Sequence, residues 1–279
     1  MAARDRRSGA APVGVWGREK VLTLLVVGAL AGVVLLGGLG LALYYAIDPL
    51  TAAARLGSRV SPAAAAAGPR HLGDPQRARR DELAARPMRP ASASDAQPSV
   101  MSTRDPGSIL LPRSTTVGPA GVPAGFAHTP AGAMAQLASI DKTALDAASL
   151  DGARSVIEHW AAPGGPTAAT WSGVKALADF LSAAGLSAGK SPGLVLSATP
   201  LMGMVKASDG PDWLVACVDF EVDATLARTA RVAVADCQRM TWQAERWVIG
   251  PGAEPAPAPS TWPGTDAAID AGYKELRDA

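Results

Sequence analysis

The sequence predicts an α+β domain carried behind one membrane-spanning helix, on three observations. Residues 21–47, VLTLLVVGALAGVVLLGGLGLALYYAI, contain no charged side chain. Apolar residues recur at helical spacing from about 129 to 185 and at alternating spacing from about 193 to 250. Between the span and the periodic region lies a stretch rich in Pro, Ala and Arg that follows neither period.

The uncharged run is about 27 residues long, and roughly 20 suffice to cross a hydrocarbon core at 1.5 Å per residue. A signal peptide has a shorter apolar core and ends in a small-x-small cleavage site; YYAIDPL offers none. Residues 1–20 carry Arg4, Arg6, Arg7, Arg18 and Lys20 against Asp5 and Glu19. This excess predicts a cytoplasmic stub and an extracytoplasmic C-terminal domain. Trp16, Tyr44 and Tyr45 suit the two membrane interfaces. Gly28 and Gly32 form a GxxxG pair that would let helix backbones approach closely; glycine is also common in membrane helices without any such role.

Residues 48–117 read as a disordered linker, because proline recurs and the stretch lacks aromatic residues. The piece PQRARRDELAARP has helical character but a polar surround that gives it nothing to pack on. About 70 flexible residues reach on the order of 45 Å.

The folded domain is expected over 118–279. Thr129-Pro130 opens a helix, as N-cap and first helical residue; Met134, Leu137 and Ile140 follow it. A second helix, about 149–162, stripes Leu150, Ala153, Val156, Ile157 and Trp160. A third stripes Trp171, Val174, Leu177, Ala178 and Leu181 and stops at Gly185. The period then changes. GLVLSATPLMGMVKA is a strand interrupted or edged by Pro200. WLVACVDFEV alternates, with Leu214, Ala216, Val218, Phe220 and Val222 on one side and Trp213, Val215, Cys217, Asp219 and Glu221 on the other. RTARVAVADCQRMTW and RWVIG complete a meander of about four antiparallel strands, with three helices on one face. A proline strap and a short C-terminal helix striped by Ile269, Tyr273 and Leu276 close the chain.

The net charge of +1 calls for no nucleic-acid partner. Asparagine is absent, and six lysines stand against twenty arginines, the usage of a bacterium with a G+C-rich genome. Cys217 and Cys237 are the only cysteines. With a connection centred near Ala227 they fall opposite one another, so an oxidising compartment would allow a disulfide, two free thiols being the alternative. Three histidines, His71, His128 and His159, do not supply a zinc set. The chain contains no HExxH or GxxxxGK[ST] pattern, and GLSAG at 185–189 has the letters of GxSxG but follows a helix and precedes a strand, the reverse of a nucleophile elbow. No catalytic residue, metal or cofactor is therefore assigned. Trp213, Trp242, Trp247 and Trp262 read mainly as core or lid packing, with partner anchoring as the alternative.

One span, a long linker and an exported domain of helices then meander resemble the bitopic scaffold proteins of conjugative and type IV secretion machines, whose exported domain is NTF2-like. GVPAGFAHTPAGA and WPGTDAAIDAGYKEL are also similar to uncharacterised membrane proteins of actinobacterial integrative and conjugative elements. The resemblance implies a non-enzymatic assembly component in the cell membrane. Its partners would be the lipid bilayer, other membrane components of the transfer complex and further copies of itself. A small-ligand-binding or enzymatic NTF2-like domain, and an envelope transport accessory protein, are the alternatives.

Overall fold

The computed structural model describes residues 74–279 of the 279. The stub 1–20, the span 21–47 with Gly28 and Gly32, and linker residues 48–73 lie outside the described residues. None of the described helices is long and apolar enough to cross a membrane.

The centre is a six-stranded, antiparallel-rich curled sheet. Its long strands are β4 (Val195–Ser208), β5 (Trp213–Thr225) and β6 (Thr229–Gln243), followed by β7 (Arg246–Ile249). They pair as the meander that the alternating pattern predicts. Pro200 lies at a register shift in β4, where a missing N–H costs no ladder bond. Two further strands were not expected. β1 (Ser108–Leu111) runs parallel to β8 (Lys274–Asp278), and β8 joins β4 at Met202 and Gly203, giving the order β1-β8-β4-β5-β6-β7. A two-residue hairpin, β2 (Thr116–Val117) with β3 (Pro123–Ala124), stands apart.

Helices α2 (Pro130–Asp146), α3 (Leu150–Trp160) and α4 (Ser172–Ala183) cover one face. Thr129 accepts from Gly132 N at 3.0 Å and Ser149 from Gly152 N at 3.3 Å, so both caps are the side chains that precede the apolar stripes. Gly132 is required: a Cβ there would sit 1.9 Å from the Ala127 carbonyl oxygen. The main core joins these helices to Leu214, Ala216, Val218, Phe220 and Val222, the set the alternation assigns to one face. Helix α2 also closes the open half of the β4 edge. Asp146 Oδ1 accepts from Ala198 N at 2.8 Å and Lys142 Nζ donates to Ala198 O at 2.8 Å, standing in for a neighbouring strand.

The opposite face corrects two expectations. Residues 74–117 are not a free linker. Helix α1 (Pro75–Ala85) has Asp74 as N-cap and Pro75 at its first position, and it lies over Trp213, Val215, Cys217 and Cys237 with Ala84 fully buried. Ion pairs join this apolar contact in holding it there. Arg80 bonds Asp209 at 2.9 Å and stacks over Trp213, and Asp81 pairs at 2.6 Å with Arg239, which is itself buried. The chain then threads along the sheet: Ala233 N donates to Ala96 O, and Ser102 N to Gly264 O. The second correction is at the C-terminus. The last helix is only α5 (Asp266–Asp270); Gly272 at φ 97 breaks it, and 274–278 become β8. Leu276 reaches the main core from a strand instead of a helical stripe. The sheet is thus covered on both faces, and β5 is buried from Trp213 to Phe220.

Candidate functional site

Between α2, α4 and the strands β5 and β6 lies a cavity of about 90 Å³. Its wall is mostly apolar, with Ala144, Leu177, Phe220 and Val234 among its residues, but Asp141, Ser172 and Asp236 also line it. Ala176, at its edge, is exposed.

Helix periodicity places Asp141 inside. It lies one turn beyond Leu137 and three residues before Ala144, both buried, in a helix buried on nearly every side. Asp141 is 5% exposed, and neither carboxylate oxygen has a hydrogen-bond partner. An ionised carboxylate without bonds is costly to bury. Burial pushes its pKa well above the usual carboxylate range, and the nearby charges of Asp236 and Glu254 push it further. Asp236 is carried by β6, opposite Val218 and two residues from Val234, so strand alternation turns it toward the helices. Its oxygens accept from Gln238 Nε2 at 2.9 and 3.2 Å. Burial raises its pKa to about 6, the Gln238 bonds opposing and Glu254 adding to the rise.

Glu254 comes from the proline strap and completes the start of α4. Helix α4 has no side-chain cap from its own N-cap residue, Trp171. Instead Glu254 Oε1 accepts from Ser172 N at 2.8 Å, where the helix dipole favours an anion. Ser172 Oγ lies 3.1 Å from Glu254 Oε1 and 3.4 Å from Asp236 Oδ1, and its one proton serves only one of them at a time. Trp171 is 1% exposed with its indole Nε1 unpartnered, and it too lines the cavity. Three carboxylates therefore converge here, and no Lys, Arg or His of a described ion pair reaches any of them. Among the described residues, no group of three or more His, Cys, Asp or Glu is placed to hold a metal ion.

The residues singled out in the sequence lie elsewhere. Cys217 and Cys237 stand directly opposite each other on β5 and β6 and are joined by a disulfide, on the sheet face away from the cavity. Met88 packs its Sδ 3.6 Å from Cys237 Sγ and 4.0 Å from Cys217 Sγ. His128 stacks on Trp242 with ring centroids 4.3 Å apart and bonds Asp212 through Nε2 at 2.8 Å. His159 Nδ1 is 2.7 Å from Ser155 O, one turn back along α3. Trp213, Trp247 and Trp262 are buried. Sequence reasoning missed Asp141, Asp236, Glu254 and Trp171 as a group. A signal existed for two of them: Asp141 borders the Leu137–Ile140 stripe, and Asp236 interrupts the Val232–Val234 face.

Fold and cavity define an α+β domain whose helix-covered sheet face borders a small, mostly apolar cavity with Asp141 and Asp236 among its lining residues. No family model, curated protein or solved structure matches the chain.

Proposed function

We propose that the described domain is the exported, NTF2-like body of a single-span membrane protein that works as a non-enzymatic assembly component of a conjugative or related secretion apparatus. The observation that carries the exported location is the Cys217–Cys237 bond, set between central strands of a domain that follows an uncharged 27-residue stretch. A disulfide of this kind belongs to an oxidising compartment. Three helices over a long-stranded curled meander support the NTF2-like assignment. The assembly role rests on the resemblance described above and on the size of the interior. The cavity between helices and sheet, at about 90 Å³, is smaller than the roughly 300–1,000 Å³ of drug-sized sites.

The test is topological first. Lys175, on exposed α4 surface, should react with a membrane-impermeant amine reagent on intact cells, and Lys20 only after lysis. Crosslinking of intact cells should then join the chain to other membrane proteins or to itself. Labelling of Lys175 only after lysis removes the exported location, and recovery of uncrosslinked chain alone removes the assembly role.

A further inference from the structure

The edges of the large sheet are treated unequally. At β7, Ala162 N donates to Ile249 O at 2.8 Å, so the segment after α3 covers that side. The open half of β4 is held by Asp146 and Lys142. Strand β1 has no such cover. Glu275 N donates to Gly107 O and Ala279 N to Leu111 O, both at 3.0 Å. A parallel ladder uses alternate residues of each strand, so the odd-numbered residues of β1 serve β8, and the N–H and C=O of Ser108 and Leu110 point outward. No described residue bonds them. Leu110 is 61% exposed there, and the strand, SILL, carries none of the charged residues that blunt a sheet edge. The chain around it is complementary to its own reverse. Asp105 and Arg113 stand at equal distances before and after Ile109, and both are exposed. Asp105 Oδ1 accepts from Gly107 N at 2.8 Å and Arg113 Nε donates to Ala279 O at 2.7 Å, but neither forms an ion pair with a described residue.

We propose that β1 is a self-association edge, on which β1 of a second copy of this chain pairs antiparallel about a two-fold axis at Ile109. Ser108 of each copy exchanges both backbone bonds with Leu110 of the other, which satisfies the outward groups. Ile109 meets its counterpart on the side of α2, where it already packs against the main core. The two Leu110 side chains meet diagonally on the other face. The turn that holds Asp105 comes against the Arg113 end of the opposing strand, and this charge match selects a second copy over an unrelated strand. Pro106 and Pro112 offer no N–H, so the ladder stops at both ends. Such a contact is isologous; it uses up both exposed edges and closes as a dimer. It goes beyond the assembly reading and needs neither a membrane span nor a secretion apparatus.

Two differently tagged full-length chains in mild detergent test this, one carrying Ser108→Cys and the other Leu110→Cys. Their α-carbons lie about 5.5 Å apart in such a ladder, within the range of a disulfide. The native cysteines are joined and buried and do not compete. Mild oxidation of the mixture should link the two tags, while a pair of Lys175→Cys chains stays unlinked. Adding Arg113→Asp to both chains should slow the linkage severalfold, and adding Asp105→Arg as well should restore it. Leu110→Pro removes an outward N–H and no bond to β8. It should leave the thermal melt of the chain cooperative and lower its self-association at least tenfold by sedimentation equilibrium. If Leu110→Pro does not fold, the linkage and the charge exchange carry the decision. Absence of the mixed product, linkage no faster than that of Lys175→Cys, or undiminished association in the folded variants overturns the proposal. Oxidation in intact membranes should give the same product; linkage there to a different protein instead overturns the choice of a second copy.

Discussion

Asp219 is fully buried on β5, facing away from the helices. Its Oδ2 accepts from Thr261 Oγ1 at 3.0 Å, while Oδ1 has no partner. Burial raises its pKa from 3.8 to about 8, against the lowering effect of Thr261. The folded chain thus holds a proton that the unfolded chain releases near pH 4. That stabilisation is complete below the unfolded value and is lost as pH rises toward about 8. The loss is on the order of 5 kcal/mol at most, at 1.36 kcal/mol per pKa unit. Asp219→Asn should flatten this fall and exceed the parent in stability above pH 8 by roughly 1–3 kcal/mol, because a neutral amide costs less to bury than a carboxylate. Urea unfolding of both proteins at pH 5 and pH 8.5 checks it; Asp141 and Asp236 give both the same residual slope. Individual positions of this kind are only half legible in a sequence. Alternation correctly assigns Asp219 to the second face, yet nothing in DFEV says that the second face is covered. The burial comes from Thr261 and Tyr273, more than forty residues away.

Elements with a strong period were legible, including their caps. Thr129-Pro130 and Ser149 start α2 and α3, and Val218 and Phe220 face the helices as the two-residue period requires. Two classes of element were not. Helix α1 carries its docking information in Arg80 and Asp81, whose partners Asp209 and Arg239 are remote in sequence. Strand β8 has a short pattern, ELRD, that reads equally as the end of a helix until β1 and β4 supply its ladders. The β6–β7 hairpin shows a third kind of silence. Its two-residue turn is Ala244-Glu245, both at positive φ (47° and 60°), where Asn and Gly are the usual residues. Replacing them with Ala244→Asn and Glu245→Gly should stabilise the domain by about 1 kcal/mol or somewhat more, since each left-handed L-residue costs roughly that much. A chemical-denaturation midpoint measured on the double variant decides it, and an unchanged midpoint would mean that the strain is not there.

At the scale of the whole molecule, the boundary near residue 118 that composition suggests cuts through the fold. A chain starting there lacks α1 and β1, so it uncovers Trp213, Val215 and the cysteine pair and leaves β8 with a bare edge. Limited proteolysis of the full-length protein should leave α1 within the resistant fragment, and a 118–279 fragment should aggregate or give a non-cooperative melt where 74–279 melts cooperatively. A resistant fragment starting near 118 would count against the docking of α1. The position of the sulfurs beneath that docked segment has a further consequence. Cys217 is wholly inaccessible, Cys237 is 4% exposed and Met88 lies across both. An oxidoreductase can therefore reach the pair only while the N-terminal arm is lifted, so thiol chemistry has to precede the arm's settling during maturation. In the finished protein, attack by a reductant is limited by how often the arm peels away, and a cap that spans the sheet becomes the lock on its own crosslink.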